Sequence, residues 1–281
     1  MKSSSLVNRA LFVLLLIGIN VCLFAQVQSQ NKVFIPEVGQ DGKDVIWVPT
    51  PDELVSKMME IAAVTSKDFL IDLGSGDGRT VIAAAKLGAR AIGIEYNPDM
   101  VELSIKNAEK AGVSDKAKFL QEDLFEFDLS EATVITMFLL PDINLRLRPR
   151  LLDLKPGTRI VSNTFTMGEW EPDFEVTIDE SLNSWYTALM WIVPAKVEGK
   201  WKLEGGELTI RQDFQMLYGT FKSDKKTSTI SSGRLNGNEI TFSIDGATYT
   251  GNVNGKTTIT GKVIAGSNKK DWVATYIGSG D

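Results

Sequence analysis

The apolar and polar positions of the chain predict alternating strands and helices over its first two thirds. An apolar run at 69–73 indicates a buried strand, and the glycines after it lead into a helix at about 80–87. A second strand is predicted at 91–94, followed by a helix that ends near residue 110, and a third strand at 118–121. Strands that alternate with helices are typical of a parallel sheet covered on both faces.

A second group of elements completes this pattern. The nine-residue apolar run at 132–140 predicts a central strand, and a short helix at 145–154 contains Pro149, which should force an irregular turn. A fifth strand is predicted at 159–165, and hairpin strands are predicted at 174–178 and 185–193. Five strand–helix repeats followed by a hairpin predict an α/β fold with a seven-stranded, Rossmann-like sheet.

The composition changes near residue 196 and predicts a second domain. Gly, Thr, Ser and Asn become more frequent, and short strand patterns alternate with Asn-Gly turns at 236–237 and 254–255. These features predict a small antiparallel β-meander, for which we favour a stabilising or covering role over ligand binding. The predicted domains are residues 31–195 and 196–281.

The N-terminus has the pattern of a secretory signal. Lys2 and Arg9 precede an apolar run at 10–25, and a polar stretch follows. We therefore predict a signal peptide at residues 1–25 and an exported protein, periplasmic or secreted. An uncleaved signal anchor is the alternative, because the run is only slightly shorter than the roughly 20 residues that span a bilayer.

Composition and charge exclude several kinds of binding and catalytic site. The formal net charge of −6 and the pI of about 5.0 argue against a nucleic-acid-binding surface, which would need a basic patch. The chain has no histidine, so Ser-His-Asp and Cys-His catalysis and histidine metal sites are excluded. The one cysteine, Cys22, lies in the predicted signal, so disulfides cannot stabilise a cleaved chain.

The glycine turn after the first predicted strand indicates a nucleoside ligand. We expect its backbone N–H groups to face that ligand, and Glu95, which closes the second strand, to accept the two ribose hydroxyls. A dinucleotide fingerprint requires a third glycine where this chain has Arg79, so NAD is disfavoured. The carboxylate of Asp72 would repel phosphates and suits a cationic ligand better.

The pattern Asp72-Leu-Gly74-Ser75-Gly76-Asp-Gly78 resembles motif I of the class I S-adenosylmethionine-dependent methyltransferases. Further segments make the chain similar to the small seven-strand protein-lysine methyltransferases of archaea and mitochondria. These segments are Val48-Pro49-Thr50-Pro51, Gly93-Ile-Glu95-Tyr-Asn-Pro98, Phe138-Leu-Leu-Pro141 and Gly168-Glu-Trp170-Glu-Pro172.

The resemblance implies a cofactor, a reaction and a set of site residues. S-adenosylmethionine would be bound by Asp72, Gly74, Ser75, Gly76 and Glu95, with Asp123 reading the adenine. The acceptor slot would be shaped by Thr50, Pro51 and the loop at Pro141. The reaction would be N-methylation of protein lysine side chains; a small-molecule acceptor and a non-catalytic cofactor-binding protein are the alternatives.

Overall fold

The computed structural model describes residues 34–43, 45–178 and 186–279. The predicted signal segment at 1–25 therefore lies outside the described residues. Within the described ranges, no helix is long and apolar enough to cross a membrane. Within the described ranges, the larger of two compact units begins at Val38.

The first part of the larger unit is a seven-stranded sheet. Its strands are β1 (Phe69–Leu73), β2 (Arg90–Glu95), β3 (Ala117–Gln121), β4 (Val134–Met137), β5 (Arg159–Asn163), β6 (Phe174–Thr177) and β7 (Thr187–Ile192). Their spatial order is β3-β2-β1-β4-β5-β7-β6. The first five strands are parallel, and β7 runs antiparallel to both of its neighbours. This arrangement confirms the Rossmann-like methyltransferase sheet expected from the sequence.

Four helices pack on this sheet in the described residues. They are α1 (Asp52–Ile61), α2 (Arg79–Lys86), α3 (Pro98–Lys110) and α4 (Pro141–Leu152). Buried side chains of α1 and α2 contribute to the apolar core on one face, and those of α4 contribute to the core on the other. The two cores bury both faces of β1 and β4, which explains why these strands are apolar apart from Asp72 and Thr136, which hydrogen-bond to each other.

Three local predictions were wrong. The connection from β3 to β4 contains no helix, so the chain does not make five strand–helix repeats. Strand β4 covers four residues of the nine-residue apolar run. Helix α4 begins at Pro141 and continues through Pro149. Leu145, whose carbonyl loses the Pro149 N–H as a partner, lies on the exposed side of the helix, where water can replace that donor.

The second part of the unit is a closed β-barrel. Its strands are β8 (Gly199–Leu203), β9 (Gly206–Asp213), β10 (Met216–Ser223), β11 (Thr227–Thr229), β12 (Ser231–Asn236), β13 (Glu239–Ile244), β14 (Ala247–Asn254), β15 (Thr258–Ala265) and β16 (Asn268–Gly278). All pairs are antiparallel; β9 pairs with β10 and β16 pairs with β8, which closes a ring of eight strands and leaves β11 attached to β10. The antiparallel meander predicted from the sequence is confirmed, and the structure shows that it closes.

The barrel docks on the first sheet through the turn between β9 and β10. The ring of Phe214 stacks on Trp170 with a centroid distance of 5.9 Å and an interplanar angle of 12°. The next residue, Gln215, is buried and donates from Nε2 to the carbonyl of Glu171 over 2.8 Å. Phe214 thereby joins the apolar core that α4 covers, so the two sheets share packed side chains.

Candidate active site

A cleft opens at the edge of the first sheet where β1, β2, β4 and β5 end. In open α/β sheets this is the edge at which ligands bind. Its lining includes the predicted cofactor residues and a group of apolar side chains: Thr50, Asp72, Gly74, Ser75, Gly76, Glu95, Tyr96, Asp123, Met137, Phe138, Leu139, Leu140 and Phe165. The fold therefore brings together residues that lie more than 100 positions apart in the sequence.

The glycine turn after β1 requires glycine for two reasons. Gly74, Gly76 and Gly78 have φ angles of 77°, 53° and 82°, in the left-handed region that disfavours other residues. A Cβ on Gly76 would also lie 2.6 Å from Nε1 of Trp47. The turn thus reverses the chain within a space that admits no side chain at this position.

The amides of this turn do not face the cleft as predicted. The N–H groups of Gly74 and Ser75 both donate to the carbonyl of Ile94, and that of Gly76 donates to Oε2 of Glu95. Strand β2 lies directly beside β1, so the carbonyl of Ile94 and the carboxylate of Glu95 already accept hydrogen bonds from these three N–H groups. The turn shapes the cleft, and the carboxylates supply the polar contacts.

The carboxylate of Glu95 is fixed by two backbone donors. Its Oε2 accepts from the Gly76 N–H and its Oε1 accepts from the Asn97 N–H, each over 2.9 Å. Each oxygen retains capacity for a further hydrogen bond. Held in this way at the end of β2, the carboxylate can accept the pair of ribose hydroxyls that the sequence predicted for it.

Asp72 is a buried carboxylate, only 5% exposed, and no cation contributes to its electrostatic environment within the described part of the chain. Its Oδ1 accepts a 2.6 Å hydrogen bond from Oγ1 of Thr136 on β4. Burial raises the pKa of Asp72 to about 7, against the effect of the Thr136 hydrogen bond, and the nearby charges of Glu95 and Asp77 raise it further. A cationic ligand in the cleft would relieve this unfavourable environment.

Ser75 and Asp123 complete the predicted cofactor set. The buried Oγ of Ser75 has no hydrogen-bond partner within the described ranges, although the residue lines the cleft. Asp123 accepts from Nζ of Lys43 over 2.6 Å and from the N–H of Phe125 over 2.9 Å. These two hydrogen bonds, that of Lys43 first, lower the pKa of Asp123, so it is ionised and able to accept from an amine.

The residues predicted for the acceptor slot lie at the same cleft, with different degrees of access. Thr50 is buried and lines it, and its Oγ1 lies 3.4 Å from Nδ2 of Asn163. Pro51 precedes α1 and Pro141 is the first residue of α4; neither is among the described lining residues, although each adjoins one. Their role in acceptor binding stays a prediction.

Sequence reasoning missed two aromatic residues of the cleft. Phe138 follows β4 and Phe165 follows β5, and their rings stack with a centroid distance of 5.9 Å. Both are half-buried and line the cleft. The position of each directly after a parallel strand was the available signal, but the sequence pattern assigned both residues to the strands themselves.

These residues fit S-adenosylmethionine. A buried carboxylate with a raised pKa suits the positive charge of the cofactor, a fixed carboxylate suits its ribose hydroxyls, and an ionised outer carboxylate suits its adenine amine. Asp72 lies in β1, Glu95 ends β2 and Asp123 follows β3; these strands are neighbours in that order, and all three residues line the cleft. The segment before α1, at 40–43 and 45–50, and apolar side chains of β4 and the loop after it also line the cleft.

Comparison with known proteins agrees with this site. A family model described as the ANTKMT methyltransferase domain matches residues 72–174, within the first sheet. The protein-lysine N-methyltransferase of Saccharolobus islandicus is 41% identical over 152 residues, which cover 53% of this chain and 94% of that protein. The adenine nucleotide translocase lysine N-methyltransferase of Mus musculus is 38% identical over 105 residues, so the match covers 37% of this chain and 46% of that relative.

A solved structure extends the match to a bound cofactor product. An RNA methyltransferase from Salinibacter ruber, crystallised with S-adenosyl-L-homocysteine, is 50% identical with a TM-score of 0.50, over 53% of this chain and 96% of that one. The cofactor predicted from the sequence is thereby confirmed. The chain belongs to the family of class I S-adenosylmethionine-dependent methyltransferases that includes the Saccharolobus islandicus protein-lysine N-methyltransferase.

Proposed function

We propose that the protein transfers a methyl group from S-adenosylmethionine to the side-chain amine of a lysine in another protein. The observation that carries the proposal is the match to a protein-lysine N-methyltransferase over 94% of that relative's length. The cleft supports it, because an apolar opening bounded by Phe138, Leu140 and Phe165 adjoins the carboxylates that suit the cofactor. An opening of this kind can receive the long aliphatic stem of lysine.

Side chains of the cleft bind the cofactor and orient it for the reaction. Asp72 provides a negative charge for the cofactor, Glu95 fixes its ribose and Asp123 its adenine. When bound, S-adenosylmethionine supplies an electrophilic methyl group; the N–C bond forms as the S–C bond breaks, and the electron pair of the broken bond stays on sulfur. Alignment of the two reactants by these contacts accounts for much of the expected acceleration.

The acceptor must arrive as a neutral amine. Free lysine has a pKa of about 10.4, and burial of its amine against apolar side chains favours the uncharged form. Leu139 and Leu140 provide such surroundings at the cleft. The proton is lost to solvent before transfer, and no dedicated general base is needed.

The direct test is transfer of a radiolabelled methyl group from the cofactor to a cell extract, with mass spectrometry of labelled proteins. We expect methyl-lysine in protein, and at least tenfold weaker cofactor binding in Asp72→Ala and Glu95→Ala. Glu102→Ala is the matched control, because this exposed acid lies on α3 in a surface ion pair with Lys106. Unchanged cofactor affinity in both site variants would contradict the site assignment.

The same assay distinguishes protein from the alternative methyl acceptors. The Salinibacter ruber relative is described as an RNA methyltransferase, which makes RNA the second candidate, although the net charge of −6 opposes binding to phosphates. Label in RNA and absent from protein would select that function, and label confined to low-mass material would select a small-molecule acceptor. Cofactor binding without transfer to any fraction would indicate a non-catalytic protein.

We also propose that the protein is exported, with residues 1–25 as a signal peptide or an uncleaved anchor. The support is the charged start followed by the apolar run at 10–25. Cell fractionation with N-terminal sequencing tests this. A cytosolic protein that retains its first residues would overturn the proposal, and a membrane-bound protein that retains them would select the anchor.

For the mature chain we propose two domains, at 31–195 and 196–281. In support, the last strand of the first sheet ends at Ile192 and the first barrel strand begins at Gly199. Because this connecting segment is largely buried, the test is separate expression of the two parts, and each should unfold in one cooperative thermal transition. A part that does not fold alone would contradict the boundary.

A further inference from the structure

Strand β5 ends in an unusual turn beside the cleft. The N–H of Phe165 donates to the carbonyl of Asn163 over 2.7 Å, and Thr164 between them has a φ of 63°. A hydrogen bond across three residues with a positive central φ defines a strained form of γ-turn. A β-branched residue rarely adopts this conformation, and such strain concentrates where function requires it.

Several hydrogen bonds hold this turn. The carbonyl of Phe165 accepts from Oγ of Ser162 over 2.7 Å and from Nδ2 of Asn144 over 3.1 Å. Both of these side chains are fully buried. On the other side, the N–H of Thr164 donates to the carbonyl of Thr187 on β7 over 2.7 Å. Donors from α4 and β5 and an acceptor from β7 therefore fix the backbone on both sides of the Phe165 ring.

The turn determines where that ring lies. Instead of continuing the β5 direction, Phe165 stacks on Phe138 at an interplanar angle of 23°, and both rings line the cleft with Thr50. Both rings are half-buried, in contrast to Trp170 and Trp191 behind them, which are fully buried core residues. The two stacked, half-buried rings thus form one aromatic wall on the lining of the cleft.

An aromatic wall suits one chemical group above others. The face of an aromatic ring attracts a cation, and ammonium groups that carry methyls are a preferred ligand of such surfaces. Methyl transfer to an amine produces such a group, because a methylated lysine is a cation at neutral pH. A neutral group of the same shape gains the apolar contact and lacks the electrostatic attraction.

We propose that Phe138 and Phe165 bind the methylated lysine side chain, and that the γ-turn at Thr164 is the positioning device that holds Phe165 in place. The inference deepens the proposed function and rests on it for the identity of the acceptor. It assigns a determinant of acceptor binding to the end of β5, separate from the cofactor contacts of Asp72, Glu95 and Asp123.

A binding experiment tests the wall without requiring turnover. The probes are Nε-trimethyl-lysine amide and its neutral isostere with carbon in place of the ammonium nitrogen. Each is titrated by NMR into the full chain with S-adenosylhomocysteine. We expect the cation to bind at least fivefold more tightly, and Phe165→Leu to remove this preference while cofactor-product affinity stays within twofold. Phe174→Leu, on β6 and outside the lining residues, is the matched control and should leave the preference intact.

Variants of Thr164 test the positioning role. Glycine accepts a positive φ, so Thr164→Gly should retain the preference, whereas Thr164→Pro cannot adopt this angle and should lose it as Phe165→Leu does. If Thr164→Pro does not fold, Ser162→Ala, which removes one donor to the Phe165 carbonyl, should reduce the preference instead. Full preference in a folded Thr164→Pro, or in Ser162→Ala, would overturn the positioning role.

The two proposals fail in distinguishable ways. Wild-type protein that prefers the cationic probe but labels no protein would contradict lysine methylation and retain the wall. Wild-type protein that methylates lysine but binds both probes equally would overturn the wall and retain the function. Where turnover occurs, Phe165→Leu should raise the KM for the acceptor at least fivefold and leave the KM for the cofactor unchanged.

Discussion

The two sheets of this protein bury different kinds of side chain. The open parallel sheet gathers buried polar groups at the edge where its strands end: Thr50, Asp72, Ser75, Ser162 and Asn163. The closed barrel fills its interior with apolar groups such as Trp201, Leu208, Ile240, Phe242, Ile259 and Trp272. A parallel sheet leaves a crevice at its carboxyl edge, whereas a closed antiparallel barrel pairs its own strands and leaves none of its eight members unpaired at an edge.

The barrel interior therefore contributes mainly to stability, and the open edge of the first sheet contributes mainly to ligand binding. Polar groups at the open edge are arranged for a ligand, and some of them oppose folding when that ligand is absent. The interior of the barrel is filled mainly by apolar side chains that pack against one another. Substitutions in the two regions should thus separate the free energy of unfolding from cofactor affinity.

The largest expected effect on stability is in the barrel. Phe242 is fully buried, and its ring centroid lies 4.9 Å from that of Tyr249 and 5.6 Å from that of Trp272. Phe242→Ala should lower the free energy of unfolding by about 3–5 kcal/mol, measured by urea denaturation. Tyr218→Ala, on the exposed face of β10, is the control and should change it by less than about 0.5 kcal/mol. Cofactor affinity weakened more than twofold in folded Phe242→Ala would break the comparison.

Asp72→Asn should act in the opposite direction. The pKa of Asp72 is raised to about 7 in the folded protein. The stabilising contribution of its protonated form is therefore fully present at a pH below the pKa of the unfolded chain, and it is lost as the pH rises through 7. At pH 8, Asn avoids the burial of charge and should raise the free energy of unfolding of the cofactor-free protein by up to about 4 kcal/mol. The same variant should bind S-adenosylmethionine at least tenfold more weakly. Lower stability at pH 8 would contradict this account.

Asp68, at the other end of β1, is the matched comparison. Burial acts to raise its pKa, but hydrogen bonds from Thr65 and Thr133 and the charge of Arg159 lower it overall. The stabilising contribution of the ionised Asp68 is therefore present at a pH above the pKa of the unfolded chain, and it is lost as the pH falls through the lower pKa of the folded protein. Asp68→Asn should lower the free energy of unfolding at pH 8 by about 3 kcal/mol, because Arg159 loses its charged partner. Equal signs for the two Asp variants in thermal or urea unfolding would contradict the contrast.

Cofactor affinity should depend on pH through Asp72. Only the ionised carboxylate attracts the positive charge of the cofactor, so affinity should fall as pH drops below about 7, by at most about tenfold per pH unit. Calorimetric titration between pH 5.5 and 8.5 measures this. Asp72→Asn should give a flat profile, and an equally steep profile in that variant would assign the dependence to another group.

The smallest expected effect lies between the two sheets. Arg234 of the barrel donates to Oδ1 of Asp173 over 2.6 Å, and Asp173 is 11% exposed on its side chain. Arg234→Gln should lower the free energy of unfolding by about 1 kcal/mol, because Asp173 keeps a backbone donor at Ile192. Lys262→Gln, which removes an exposed barrel ion pair with Asp271, should have less than half that effect in the same urea experiment.

Local patterns of sequence were sufficient for most strands of the first sheet and for the grouping of the predicted cofactor residues at one edge. The bounds of β1 follow from an apolar run, and they appear in the structure as predicted. The meeting of Asp72, Glu95 and Asp123 follows from one rule, that parallel strands end at the same edge. These features depend on neighbours in sequence or on a single topological regularity.

Features that depend on distant partners could not be predicted. Strand β8 closes the barrel against β16, about 70 residues later, and no local pattern records that pairing. The turn at Thr164 depends on donors from Asn144 and Ser162, so the sequence pattern extended β5 through it. The N–H groups of the glycine turn were predicted to face a ligand, because the sequence does not show that they donate to the Ile94 carbonyl and the Glu95 carboxylate.

The pairing of β8 with β16 has a consequence for synthesis. The strands of the first sheet emerge from the ribosome by Ile192, whereas the barrel cannot close until β16 has been made. Until then β8 and β15 are both open edges that can pair with other chains. A nascent chain arrested before Asn268 would thus combine a complete methyltransferase sheet with an aggregation-prone remainder. Chaperone binding during synthesis should therefore matter more for the barrel than for the first sheet.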